Sequence, residues 1–455
     1  MKSIQKPIVI VGAGFAGMTV ALNLKSINPS LPILVVDSEA KFIFKPLMYE
    51  VLSKEIKMWE FAPEFSNIFS DVGITFLKKC LIKINFNENV LEFSDDLRIT
   101  YQYLVICTGS VSNSFLIKGV DENCYFFNSL NDLNKLKSVL EVSKPSPSRR
   151  KLFIVGGGPS GVEIACKIND IYVDHFQICI VEKSNEILVR NKIFNREEAE
   201  KALEKRNISV LLNSTVQEVS EQKISIFNND QITSMDKDIV IWTAGVKANL
   251  SYIDENVSQK NGRILVNDKF QIENYINCFA IGDISIIRGM EDLSLTAQVA
   301  MQEGKHLAKN IERLVQEKDL LPFEFQDNGE MISLGIGKAS ISALGVTLSG
   351  KFAFEARRLI YASKLPDIDK SLKSATSWLL QKKSSFNHFF RKDNKYDYLI
   401  IINYNKNKIK NKGSAIFIHV AKNNYKSTAG CIALKKRDLI NITKIITSKT
   451  IVKVN

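Results

Sequence analysis

Six glycines and two acids define the chemistry open to this chain. Gly12, Gly14 and Gly17 stand in a G-x-G-x-x-G spacing, and so do Gly156, Gly158 and Gly161. In that spacing the first glycine permits a tight turn and the second lets the backbone approach a pyrophosphate. The third lets the following helix pack close to the preceding strand. The N-terminal N–H groups of that helix then face the phosphates. Asp37 follows Gly12 by 25 residues and Glu182 follows Gly156 by 26, each at the end of an apolar run. A carboxylate there can accept hydrogen bonds from the hydroxyls of an adenosine ribose. One fingerprint alone is a weak signal. Two of them, 144 residues apart and both with their acid, point to two bound dinucleotides.

Each set needs a strand, a glycine turn, a helix and a second strand to place it, and the sequence supplies them twice. The run from Pro7 through IVIVGAGFAGMTVALNL is followed by PILVVDSE, and the run from Lys151 through LFIVGGGPSGVEIAC by FQICIVEKS. Two shorter apolar runs end at glycines, Tyr103 through Gly109 and Asp238 through Gly245. The fold class this implies is α/β, with two Rossmann-like dinucleotide-binding domains.

Composition sets the outer bounds. The chain has 455 residues, 45% hydrophobic and 24% charged, which excludes a disordered chain, a disulfide-stapled miniprotein and a coiled coil. No run reaches the ~18 apolar residues of a membrane-crossing helix. The first residues run directly into a strand without a leader, so the expected location is cytoplasmic. Seven cysteines are scattered with no C-x-x-C and no metal-ligand spacing, which reads as reduced thiols and no metal site. The net charge of +12 is uneven: residues 381–455 hold 17 Lys/Arg against 3 Asp, while residues 1–380 hold 44 basic and 46 acidic residues. That tail alternates with strand-like apolar runs and reads as folded, so no nucleic-acid partner is expected.

These elements, in this order, resemble the flavoproteins with two dinucleotide-binding domains, in which the first fingerprint holds FAD and the inserted second domain holds NAD(P)H. The strand N-C-F-A-I-G-D, with Gly282 and Asp283, resembles the point at which that family returns to its FAD domain, and implies that Asp283 meets the flavin ribityl chain. Three further segments are similar to the type II NAD(P)H:quinone oxidoreductases. They are F-K-P-L-M-Y-E at residues 44–50, A-Q-V-A-M-Q at 297–302 and N-G-E-M-I-S-L-G at 328–335. With W-E-F-A-P at 59–63, they resemble most the cyanobacterial and plastid branch that reduces demethylnaphthoquinones, over residues 6–383. A cysteine pair, which disulfide reductases need, is absent.

The resemblance implies a flavin-dependent enzyme passing two electrons from NADH or NADPH to a membrane quinone of naphthoquinone or plastoquinone type. Lys45, Pro46, Thr108, Gly109 and Gly245 would then be cofactor contacts. Gln298 and Gln302 share one helical face, where their amides can donate to quinone carbonyls or merely cap loops. Glu163 matches an acid near the nicotinamide–flavin contact, or else complements the dipole of its own helix. Glu182 favours NADH because a carboxylate repels a 2′-phosphate, while Lys183 and Arg190 nearby soften that preference. His175 and His306 carry no chemistry in this scheme.

The expected organisation is an FAD domain over 1–148, an NAD(P)H domain over 149–269 and a return to the FAD domain over 270–350. A membrane-facing segment would then span 351–383, with eight Lys/Arg to meet anionic lipid and with Leu372, Ala375 and Leu379 on one face. The chain would sit peripherally on the cytoplasmic face of a membrane, and a homodimer is left open. Residues 386–455 resemble the C-terminal half of an L,D-transpeptidase domain, with His419, Thr428, Gly430 and Cys431 as a second candidate site. A cysteine transpeptidase and a reductase of a small iron–sulfur protein are the alternative functions.

Overall fold

The computed structural model describes residues 6–142, 149–254, 256–365, 399–401, 417–420 and 432–445. The chain divides into two compact units, Met1–Leu372 and Lys373–Asn455.

The first unit is built on two sheets whose central strands run parallel. In one, the strand Ile8–Val11 lies between Ile33–Asp37 and Tyr103–Ile106, with Thr75–Lys78 beyond the former and Tyr275–Ala280 beyond the latter. In the other, Arg150–Val155 lies between Phe176–Val181 and Ile239–Trp242, flanked by Ser209–Leu211 and Tyr125–Phe126. The central strands are uninterrupted runs of Ile and Val, because a parallel sheet is covered on both faces. Val9 and Ile10 in the first sheet and Leu152 and Ile154 in the second have no exposed surface.

The two sheets share one local plan. The strand before each glycine turn is flanked on one side by the strand that ends at the acid. On the other side runs a strand that leads into Thr108-Gly109 or Ala244-Gly245. A two-stranded antiparallel ribbon, Ser110–Ser112 with Val246–Ala248, carries the chain between them. The crossings fall earlier than the expected boundaries at residues 149 and 270. Tyr125–Phe126 already belongs to the second sheet, and Gln259–Lys260 and Arg263–Val266 already belong to the first.

Two helices complete the site. Ala297–Val315 starts at a Thr296 side-chain cap on the Val299 N–H and packs along Phe15–Ile27. The approach is so close that a Cβ on Gly304 would lie 2.7 Å from the Ala16 carbonyl oxygen. Gly350–Ala362 packs on the antiparallel strands Glu330–Ser333, Ala339–Ala343 and Val346–Ser349. Its inner face carries Ala353, Phe354, Arg357, Arg358 and Ala362. This corrects the expected role of the segment's charge: Arg357 and Arg358 are buried against Glu50 and are not available to lipid. Leu372, Ala375 and Leu379 lie outside the described residues.

In the second unit, Phe417–Val420 pairs antiparallel with Leu399–Ile401 and parallel with Ile432–Leu434, and a helix follows over Lys436–Ile445. His419 is paired through its backbone to Leu399 and Ala433. Thr428, Gly430 and Cys431 lie outside the described residues.

Candidate functional site

The two glycine turns are near copies. Gly12 and Gly156 have φ of +97° and +109°, a region that favours glycine. A Cβ on Gly12 would lie 2.3 Å from the Cys107 carbonyl oxygen, and one on Gly17 or Gly161 would lie 1.9 Å from the carbonyl of the first glycine of its own turn. Gly14 and Gly158, by contrast, face open space, with no atom within 4 Å of that position. The first and third glycines are closed by backbone and the second stands open, as a pyrophosphate at each helix N-terminus requires. Each turn therefore fits a dinucleotide.

The acids are tied to these turns in the same way. Asp37 accepts the Ala13 N–H at 2.7 Å and the Glu39 N–H at 2.8 Å. Glu182 accepts the Gly157 N–H at 2.5 Å and the Ser184 N–H at 2.8 Å. Each carboxylate oxygen keeps a second lone pair for a ribose hydroxyl. Burial pushes the Asp37 carboxyl up from its usual range, against those backbone donors.

Around the first turn, Ser110 donates to Asp283 at 2.7 Å, and the Lys45 ammonium donates to Asn128 at 2.7 Å. Burial lowers the Lys45 pKa, partly offset by Asp283 and Asp132. Thr108 and Tyr252 share a hydroxyl–hydroxyl hydrogen bond, and Gly109 faces open space. Pro46 presents its carbonyl to Arg357 Nη2 at 2.7 Å. A Cβ on Gly245 would lie 3.2 Å from Cζ of Phe115.

Glu163 sits inside the protein, not on the helix surface where it would serve the dipole. Its Oε1 accepts the Tyr49 hydroxyl at 2.8 Å and the Ser333 N–H at 2.9 Å. Arg357 Nη2 donates to the same Tyr49 oxygen. An arginine can only donate, so the phenol uses its lone pair for Arg357 and turns its own proton to Glu163. Oε1 therefore accepts twice, and Oε2 makes no hydrogen bond among the described residues. A proton on this carboxyl belongs on Oε2. Burial pushes the Glu163 pKa up to about 7, opposed by Arg357, the Ser333 N–H and Tyr49.

Behind Tyr49 lies a buried ionic cluster. Arg357 and Arg358 both pair with Glu50, and Lys167 pairs with Glu55. Burial alone would raise the Glu50 pKa, but Arg357, Lys167 and Arg358 together hold it below the usual range. Three basic side chains, Arg357, Arg358 and Lys167, thus face the two carboxyls of Glu50 and Glu55. Such a cluster holds only while every member keeps its partner.

Gln298 and Gln302 are engaged with backbone. Gln302 donates to the Gln326 carbonyl at 2.7 Å and accepts its N–H at 3.0 Å. Gln298 accepts the Asn328 N–H at 3.1 Å and reaches the Gly329 carbonyl at 3.5 Å. Farther along the same segment, Glu330 accepts from Asn191 and Asn195 at 2.9 Å each, and Ser333 donates to Glu163. Residues 326–333 thus run from Gln302 past Gln298 to Glu163, and join all three sequence candidates.

Tyr49, Glu50, Lys167, Ser333 and Arg357 were not singled out from the sequence. Two signals were present. Lys167 follows Glu163 by one helical turn on an apolar face, and Arg357 and Arg358 fall on the same helix face as Ala353, Phe354 and Ala362. His175 and His306 bond to the backbone carbonyls of Val173 and Leu321, each at 2.9 Å. No metal-binding cluster occurs among the described residues.

A family model for pyridine nucleotide-disulphide oxidoreductases matches residues 6–304. The demethylphylloquinone reductase NdbB of Synechocystis is 30% identical, covering 83% of this chain and 97% of that protein. The alternative NAD(P)H-ubiquinone oxidoreductase C1 of Arabidopsis thaliana is 31% identical over 82% of this chain and 80% of its own length. Among solved structures, NDH2 of Plasmodium falciparum in complex with NADH superposes with a TM-score of 0.75 at 18% identity, over 85% of this chain and all of that one. None of these matches supports the likeness of the tail to an L,D-transpeptidase.

Proposed function

The chain belongs to the pyridine nucleotide-disulphide oxidoreductase family and, within it, to the type II NAD(P)H:quinone oxidoreductases, and on that premise we propose how its residues carry two electrons from NAD(P)H to a quinone. FAD, when bound, accepts a hydride from NAD(P)H and gives two electrons to the quinone. The first turn, with Asp37, Thr108, Gly109, Lys45, Pro46 and Asp283, holds FAD. The second, with Glu182 and Gly245, holds NAD(P)H, with NADH preferred by charge. The quinone we favour is a naphthoquinone, as the name of the Synechocystis relative suggests.

The observation that carries the quinone reading is the segment 326–333. Reducing a quinone to a quinol takes two electrons and two protons, and a hydride supplies only one of those protons. At the end of this segment Glu163 is a buried group able to hold the other, on Oε2, and Tyr49 and Ser333 fix the carboxyl so that this oxygen stays free. Gln298 and Gln302 act as positioning residues that pin the segment through its backbone.

We also propose that the enzyme docks on a bilayer. The helix Gly350–Ala362 is inside out: its arginines are buried, while Phe352 is 81% exposed, and Leu359 and Ile360 are exposed with it. The neighbouring hairpin exposes Leu344, Val346 and Leu348. Lys351 at the start of the helix and Lys364 just past its end suit an anionic surface. Among the described residues no helix is long and apolar enough to cross a membrane.

Steady-state NADH oxidation by the full chain tests the acceptor. A soluble naphthoquinone should support turnover and a small iron–sulfur protein should not. Preference for the iron–sulfur protein would overturn the quinone reading.

A further inference from the structure

One buried carboxyl takes no part in the scheme above. Glu303 follows Gln302 on the same helix but faces inward, with 4% of its surface exposed. Its Oε2 accepts the Gly282 N–H at 2.6 Å, at the head of the turn Gly282–Ile284 that carries Asp283. The next residue, Gly304, is pressed on the Ala16 carbonyl, and a Cβ on Gly282 would lie 3.3 Å from the Ala16 side chain. Glu303 therefore sits where the return turn and the first dinucleotide helix meet. It lines, with Arg263, Asp283 and Thr296, a cavity of about 20 Å³, enough for a single water through which a proton can exchange.

We propose that Glu303 is a positioning residue for FAD, whose carboxyl clamps the Gly282–Asp283 turn and holds a proton while FAD is bound. FAD brings a pyrophosphate with two negative charges to a region that already holds the carboxyls of Asp37 and Asp283. A further buried anion there works against the cofactor, and protonation removes it. Burial already raises the Glu303 pKa to about 7, with Gly282 opposing. The other charged or titratable groups facing it are Asp283 on the turn, Arg263 on Arg263–Val266, and the Cys107 thiol behind the first glycine. Arg190 lies near Arg263. Arg263 is the neighbouring cation, shared with Asp283 and bonded to the Ser285 carbonyl at 3.1 Å. Deprotonation of Glu303 therefore loosens FAD, and the cofactor is held more firmly at low pH.

The inference rests on FAD binding and not on the electron acceptor, so it can fail while the quinone reading stands. Dilute the full-length holoprotein at pH 6.0 to 8.5 and follow FAD release by the recovery of flavin fluorescence. Release should quicken at least threefold as pH rises through 7 and beyond. Glu303→Gln keeps an acceptor for Gly282 without the charge, and its release should be slow and independent of pH. Glu303→Ala should release FAD faster at every pH. A wild-type rate that does not change with pH, or a Glu303→Gln variant that keeps the wild-type dependence, would overturn the proposal. Should the variants not fold, FAD release from the wild type in weak buffer at pH 7 still decides. Liberation of a fraction of a proton per FAD is expected, and none would refute it.

Discussion

The Tyr49 hydroxyl lies 2.8 Å from Oε1 of Glu163, two residues 114 positions apart in the chain. Because Arg357 donates to that same hydroxyl, the direction of the bond is fixed. The phenol proton goes to Glu163, and the carboxyl's own proton is left on its other oxygen. A side chain from the helix after the second glycine turn, one from the segment after the first ribose acid and one from the inside-out helix thus cooperate on a single proton.

Glu163→Gln keeps the hydrogen bonds and removes the proton that can be given away. NADH should still reduce the flavin at close to the wild-type rate, while transfer to a soluble naphthoquinone at pH 7 slows on the order of 10²-fold, the usual contribution of a positioned acid. The wild-type quinone step requires the protonated acid, so its rate should fall as pH rises through about 7. In Tyr49→Phe the carboxylate loses a donor that favours its charged form. The limb should move to higher pH by about one unit, equivalent to about 1.4 kcal/mol. Stopped-flow half-reactions across pH 5.5–9 check both.

Removing Arg357 leaves a buried carboxylate short of its partner. Arg357→Met should destabilise the protein by about 3 kcal/mol or more, as breaking a buried pair does. Glu50→Gln added to it should recover part of that loss, because it removes the stranded charge. Chemical denaturation of the single and double variants measures the coupling. Equal and additive losses would mean that the pair does not matter.

These interactions also mark where the sequence stopped being informative. The glycine turns and their acids are local: within about 26 residues the chain encodes strand, turn, helix and acid, and the shape of both turns could be read from spacing together with the flanking strands and helix. The bond between Arg357 and Glu50 joins residues 307 apart, and no spacing encodes it. Worse, its charge pointed the other way. Arginines in a basic segment read as facing lipid, yet they are the buried face of their helix, and the apolar Phe352 and Leu359 are outside. Gln298 and Gln302 were recognisable as a pair on one face. Which group their amides would meet depended on where residues 326–329 fold back, something a helical period does not contain.

Nicotinamide preference should follow the charge at the second acid. Glu182→Ala should raise the ratio of kcat/KM for NADPH over NADH by about tenfold, or about 1.4 kcal/mol, while both KM values increase because the Gly157 and Ser184 N–H groups lose their acceptor. An unchanged ratio would place the specificity elsewhere.

Membrane docking should depend on the exposed apolar residues and not on the fold. Leu344→Glu with Phe352→Glu should reduce co-sedimentation with anionic vesicles several-fold and leave NADH oxidation with a soluble quinone intact. Undiminished vesicle binding would show that these residues are not the docking face, and that another surface or another stretch of the chain covers them.

The most direct measurement is the flavin absorbance of the purified chain under anaerobic conditions, on adding NADH and then a soluble naphthoquinone. NADH should bleach the flavin band and the quinone should restore it, one equivalent of each per FAD. Bleaching without recovery would contradict the quinone as acceptor, and a band indifferent to NADH would contradict the electron path from its first step.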